Sequence, residues 1–135
     1  MFYLFWEAIT KKYFQLKGRA NRKEYVIFVA IYFILESIMD ITELTIKQDL
    51  LKMFITITII TVLAYLAIPS ITIIVRRLHD LNLSGFWIFL DIPIIMILYL
   101  LKHQNIGITV SWIASLILLL FKGTKGTNKY GEEPK

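Results

Sequence analysis

Met53–Val75 runs for 23 residues without a charge. As an α-helix it would be about 35 Å long, enough to cross a hydrocarbon layer of about 30 Å. Such a run constrains the fold more than any other feature of the chain, because it calls for a helix with lipid around it. The rest of the chain agrees. Hydrophobic residues make up 57% of the 135 positions, and the mean hydropathy is +0.65. A soluble domain of this size has too little interior to hide that much apolar surface. Pro69 falls about two turns before the end of the run and is expected to kink the helix there. Thr56, Thr58, Thr61, Ser70 and Thr72 carry hydroxyls that can bond within the helix or to a neighbour.

Three further apolar runs flank it. Tyr25–Ile41 is uncharged only as far as Leu35, with Glu36 and Asp40 near its far end. It is long enough to span only if Glu36 sits near the outer headgroups. Ile41–Lys52, with Glu43, Lys47, Asp49 and Lys52, reads as an exposed acidic loop. Phe86–Leu101 is apolar except for Asp91, and Ile106–Phe121 is apolar throughout; the polar turn Lys102-His103-Gln104-Asn105 separates them. Each is roughly 24 Å as helix, against a hydrocarbon thickness of about 30 Å. They form either two short spans in a thinned bilayer or a hairpin that dips in and returns. Two spans is the preferred reading, since only the short turn between them is polar.

The ends differ in character. In Met1–Leu16, Phe2, Phe5, Trp6, Ile9, Tyr13 and Leu16 recur at helical spacing, with Glu7, Thr10, Lys11 and Gln15 between them. That pattern suits an amphipathic helix lying in the membrane interface, or else a helix packed on the core. Its apolar run Phe2–Trp6 precedes its lysines, and no small-residue cleavage site follows, so a cleavable signal peptide is not expected. Lys122–Lys135 reads as a polar, basic tail without a core of its own. The expected organisation is thus an interfacial helix at 1–16, a transmembrane domain at 17–121 with spans near 25–41, 53–75, 86–101 and 106–121, and a tail at 122–135.

Charge placement gives an orientation. With four spans, Lys11, Lys12, Lys17, Arg19, Arg22, Lys23, Arg76, Arg77, Lys122, Lys125, Lys129 and Lys135 share one side. These are twelve of the fifteen basic residues, and they lie together only if the number of spans is even. The positive-inside rule then puts both termini in the cytoplasm. The expected fold class is an all-α membrane protein of four transmembrane helices plus the N-terminal interfacial helix.

Arg76-Arg77-Leu78-His79-Asp80, closed by Ser84-Gly85-Phe86-Trp87, reads as a short turn where the chain leaves the membrane and re-enters it. Together with Gly18-Arg19-Ala20-Asn21-Arg22-Lys23-Glu24-Tyr25 and Gly123-Thr124-Lys125-Gly126-Thr127-Asn128-Lys129-Tyr130-Gly131 it resembles the signature of the bacterial inner-membrane family called domain of unknown function 805. That signature begins G-R-x-x-R-[KR]-E-[FY], continues R-R-L-H-D and S-G-[WF]-W, and ends G-x-x-G-x-N-x-Y-G. Leu83 stands where a basic residue is usual, and Phe86 where tryptophan is common. The resemblance implies a small helical inner-membrane protein and transfers no enzymatic activity.

Candidate sites follow from the charged segments. Arg19, Arg22, Arg76, Arg77 and His79 form a candidate site for a phosphate-bearing ligand, since guanidinium forks match phosphate. Glu24 and Asp80 belong to an ion-pair network, in which Arg22 can pair with Asp80 and Glu24 with an arginine; the preferred reading of the cluster is that this network serves packing and topology alone. His79 and Asp80 are adjacent and lack a nucleophile or metal set, so no catalytic residue is assigned. Without cysteine, and with only His79 and His103 as histidines, no metal or other cofactor is expected. Ser84 is expected to cap the next helix. Asp91 is a candidate for ion coupling, or caps a helix restart at Pro93, or pairs with an arginine. Trp6, Trp87, Trp112, Tyr25 and Tyr99 read as belt or packing residues. The preferred function is non-enzymatic, with a cytoplasmic basic face that binds anionic phospholipid headgroups or a membrane-protein partner, including a second copy. The alternatives are an oligomeric transporter or channel subunit using Asp91, and a membrane enzyme acting on a phosphate-bearing lipid. Nucleic acid is not an expected partner, because the basic tail also carries glutamates.

Overall fold

The computed structural model describes residues 2–101 and 104–134, without the side chains at positions 2, 91, 92, 95, 99, 104, 105, 107 and 108. Lys102, His103, the Asp91 carboxyl and the Tyr99 ring therefore lie outside the described residues. Five α-helices follow in order: α1 (Phe2–Thr10), α2 (Arg22–Thr45), α3 (Asp49–Asp80), α4 (Ile88–Leu100) and α5 (Gln104–Leu120). A single 3-10 turn, Gly85–Trp87, leads into α4. Among the described residues the only β-type pairing is one antiparallel bridge between Asn128 and Gly131.

α2 and α3 exceed the apolar runs that announced them, whereas α4, at 13 residues, falls short of the expected 86–101 because a 3-10 turn occupies its start. α2 continues to Thr45, so most of the expected acidic loop is helical. The Thr42 and Thr45 hydroxyls donate to the carbonyls of Ile38 and Ile41 at 2.7 and 2.6 Å, and Lys52 pairs with Glu43 at 2.7 Å across the short connection. At 24 residues α2 is about 36 Å long. It therefore has spanning length without Glu36 at its end. Glu36 instead stands eleven residues beyond Tyr25, roughly 16 Å up the helix. α3 runs through Pro69 and on through Arg76–Asp80, so this segment is the last turn of a helix rather than a loop. The loop proper is Leu81–Ser84, with Asn82 at φ +61°. Likewise α4 is continuous through Asp91 and Pro93, and no restart occurs at that proline. Ser84 caps the 3-10 turn by accepting from the Phe86 amide at 3.3 Å.

α2 packs along α3 and α4 along α5; α5 also touches α2, and α1 touches both α2 and α3. The core lies where the first three helices meet, at Ala8, Ala20, Tyr25, Phe28, Leu66 and Ile73. Phe5 and Phe28 stack obliquely, with ring centroids 5.3 Å apart. α1 stops at Thr10, short of the expected Leu16, and buries Ala8 while leaving Tyr3 and Trp6 exposed. The outer faces of α2 and α3 are apolar and open. Only 17% and 28% of their most apolar windows are buried within the protein. A soluble core helix would be mostly covered, whereas these faces suit lipid contact.

Candidate functional site

The polar residues of three distant segments converge at the C-terminal end of α3. Asp80 is the hub. Its Oδ1 accepts from Arg19 Nε at 3.0 Å and pairs with Arg19 Nη2 at 2.9 Å, and its Oδ2 accepts from Arg77 Nη1 at 2.5 Å. All three side chains are buried; Arg77 is fully enclosed. Burying three charges is costly unless each is paired and its remaining donors are satisfied. The remaining donors mostly find carbonyls. Arg77 Nε donates to Leu118 O at 3.1 Å and Nη2 to Phe121 O at 2.6 Å. Arg19 Nη1 donates to Gly126 O at 2.5 Å, and Nη2 donates to Thr124 O.

A second pair lies beside the first. Arg76 Nη1 donates to Glu24 Oε1 at 2.9 Å, and Lys12 approaches the same oxygen at 3.4 Å. Arg76 Nε and Nη2 are buried with no partner among the described residues. Glu24 is held by the start of α2, where Asn21 Oδ1 accepts from the Glu24 amide at 2.8 Å as the N-cap. The backbone joins in, with the Ala20 amide donating to Arg76 O at 3.0 Å.

The sequence expectation of an arginine opposite Glu24 corresponds to Arg76. Arg22 does not meet Asp80. It donates from Nε to Phe121 O at 3.0 Å and from Nη2 to Leu120 O. The reason is reach: Arg19 precedes α2 and lies against the end of α3, whereas Arg22 opens α2 beside the end of α5. There the last carbonyls of a helix lack intrahelical partners and attract a cation. His79 Nδ1 lies 3.1 Å from Gly18 O, and its ring stacks on Tyr130 at 3.8 Å, only 7° from parallel.

The tail was the part sequence reasoning missed. Residues 122–134 do not hang free; they strap the arginine knot. The Thr124 amide and hydroxyl both donate to Asp80 O, at 2.8 and 3.0 Å, and Asn128 Nδ2 donates to His79 O at 2.9 Å. Gly123 passes so close to the Asp80 carboxylate that a Cβ there would overlap it. Gly126 and Gly131 turn at φ +71° and +133°, which a side chain rarely tolerates. The glycine and asparagine spacing of 123–131 was the available signal, but composition alone reads it as a solvated tail.

Below this strap a groove of about 400 Å³ opens between the start of α2 and the tail. Arg19, Arg22, Lys23, Arg77, Lys122 and Lys125 line it, against only Asp80 and Glu133 as acids. Lys23, Lys122 and Lys125 are exposed and have no acidic partner among the described residues. Of the predicted ligand set, Arg19, Arg22 and Arg77 line this groove; Arg76 and His79 do not. Among the described residues no group of three or more acidic or histidine side chains could hold a metal ion.

All three segments that build the knot fall within the span of a family match. The family described as "Protein of unknown function (DUF805)" matches residues 13–132. The chain belongs to this family. It is 30% identical over 129 residues to Inner membrane protein YhaI of Escherichia coli strain K12, covering 95% of this chain and 92% of that protein. Inner membrane protein YhaH of the same strain is 27% identical over 128 residues, covering 94% and 93%. Uncharacterized protein YiiR is 28% identical over 145 residues, covering 93% and 90%. No solved structure matches the chain. This DUF805 protein is thus a helical membrane protein, and its relatives YhaI and YhaH are inner membrane proteins.

Proposed function

We propose that this DUF805 protein crosses the inner membrane four times with both termini in the cytoplasm, and that its strapped basic groove docks anionic phospholipid headgroups without catalysing a reaction. The convergence of three segments supports the topology. Between Arg22 and Arg77 the chain runs out along α2 and back along α3, and between Asp80 and Lys122 it does so along α4 and α5. Both excursions return to the same end, where Lys12, Arg19, Arg22, Arg76 and Arg77 meet Glu24, Asp80 and the carbonyls that follow α5. The cytoplasmic leaflet attracts such a face with about 1 kcal/mol per lysine or arginine.

The observation that carries the lipid reading is the imbalance in the groove. Arg19 and Arg77 are held by Asp80 and by carbonyls, and so form its rigid back wall. Lys23, Lys122 and Lys125 remain at the front for an external anion, with Arg22 beside them. Phosphate satisfies ammonium groups without a fixed angular demand. The test is native mass spectrometry of the detergent-solubilised protein with phosphatidylglycerol or phosphatidylcholine added in equal amounts. The expected result is preferential retention of phosphatidylglycerol, lost in the Lys23→Glu/Lys122→Glu/Lys125→Glu variant while the melting midpoint stays within a few degrees. Equal retention of the two lipids by the native protein would refute it.

A further inference from the structure

A second cavity, of about 230 Å³, lies away from the basic face between α2, α3 and α5. Tyr25, Phe28, Tyr32, Glu36, Ser70 and Trp112 are among its walls. Glu36 is its single charged lining residue among those described. Glu36 Oε2 accepts from Trp112 Nε1 at 2.9 Å. No cation pairs with Glu36 among the described residues, and its second carboxylate oxygen has no hydrogen bond among them. Tyr32 donates to Ser70 Oγ at 3.3 Å, so the hydroxyls around the carboxylate are tied back to the protein.

The depth of Glu36 makes this arrangement unusual. In the topology proposed above, on which this depth rests, it stands roughly 16 Å along α2 from Tyr25, inside a hydrocarbon layer of about 30 Å. A carboxylate there is costly and by default marks a functional site. One indole N–H offsets part of that cost, but the charge itself has no counter-ion among the described residues. Four aromatic rings line the same space, and aromatic faces attract organic cations. A carboxylate among aromatic rings is the donor set of an ammonium-binding pocket. The volume falls below the roughly 300–1,000 Å³ of drug-sized sites, which restricts the occupant to a small molecule.

We infer that this cavity binds a small organic cation carrying a protonated amine, with Glu36 as its counter-ion and the surrounding rings as its walls. This site is independent of the phospholipid groove and would stand if that groove bound nothing. Trp112 also provides the readout. In the Trp6→Phe/Trp87→Phe protein it is the remaining tryptophan. Its emission is titrated with 2-phenylethylammonium and with the neutral 2-phenylethanol, in detergent micelles. The expected result is a saturable change, with the ammonium binding at least about tenfold tighter than the alcohol. Glu36→Gln keeps an acceptor for Trp112 and should remove that preference, leaving both probes at the weaker affinity. An unsaturable response, or equal affinities for the two probes in the protein with Glu36 intact, would overturn the inference, and this comparison needs no variant at Glu36. Retention of the preference in Glu36→Gln would overturn it as well.

Discussion

Asp80→Asn tests the knot most sharply, because the side chain keeps its size and loses only its charge. Asp80 is 3% exposed, Arg19 7% and Arg77 0%, so water cannot replace what is removed. Two ion pairs disappear, one with Arg19 through Nε and Nη2 at 3.0 and 2.9 Å and one with Arg77 at 2.5 Å. Each is worth about 1.5–3 kcal/mol, and the asparagine oxygen still accepts one bond from a guanidinium, recovering about 1.5 kcal/mol. The new amide also points a donor at a guanidinium. The net loss should be about 3 kcal/mol, at the lower end of the about 3–5 kcal/mol seen when one partner of a buried pair is removed. Reversible unfolding in mixed micelles of rising SDS fraction measures it. Lys52→Ala provides the contrast. It breaks the Lys52–Glu43 pair, whose carboxylate is 70% exposed, and should cost no more than about 1 kcal/mol. If Asp80→Asn cost no more than Lys52→Ala, the carbonyls alone would be holding the arginines, and the hub role of Asp80 would be wrong.

Two other substitutions probe the same assembly. Gly123→Ala should destabilise by roughly 1–3 kcal/mol, since its Cβ would overlap the Asp80 carboxylate and displace the strap; trypsin should then cleave the tail at Lys125 and Lys129 faster than in the native protein, and an unchanged digestion rate would count against the strap. Asn21→Ala removes the cap on α2 that holds Glu24 opposite Arg76 and should cost about 1 kcal/mol in the SDS titration.

Much of the fold was legible because uncharged length and charge placement are independent signals. Met53–Val75 had to be helical, and α3 contains it. What could not be read was how far helices extend past the apolar runs. Arg76–Asp80 looked like a turn because four of its five residues are polar. It is helical because Arg19, Glu24 and the carbonyls at the end of α5 satisfy those side chains, and a local reading does not contain such long-range partners. Glu36 illustrates the same gap. Its charge alone gave no partner, and the indole that bonds to it lies seventy-six residues away. At the knot, residue types were legible and pairings were not. Arg19 and Arg22 are indistinguishable by sequence, and only the position of α2 relative to α3 and α5 decides which of them reaches Asp80.

The proposed topology is tested most directly by single-cysteine labelling, since the native chain has no cysteine to interfere. Cysteines at Lys17, Lys47 and Thr127 report on the N-terminal segment, the α2–α3 connection and the tail. A membrane-impermeant maleimide applied to intact spheroplasts should label only position 47, and positions 17 and 127 should react only after the membrane is opened. Labelling of 17 and 127 from opposite sides would contradict a chain that returns twice to one basic cytoplasmic face.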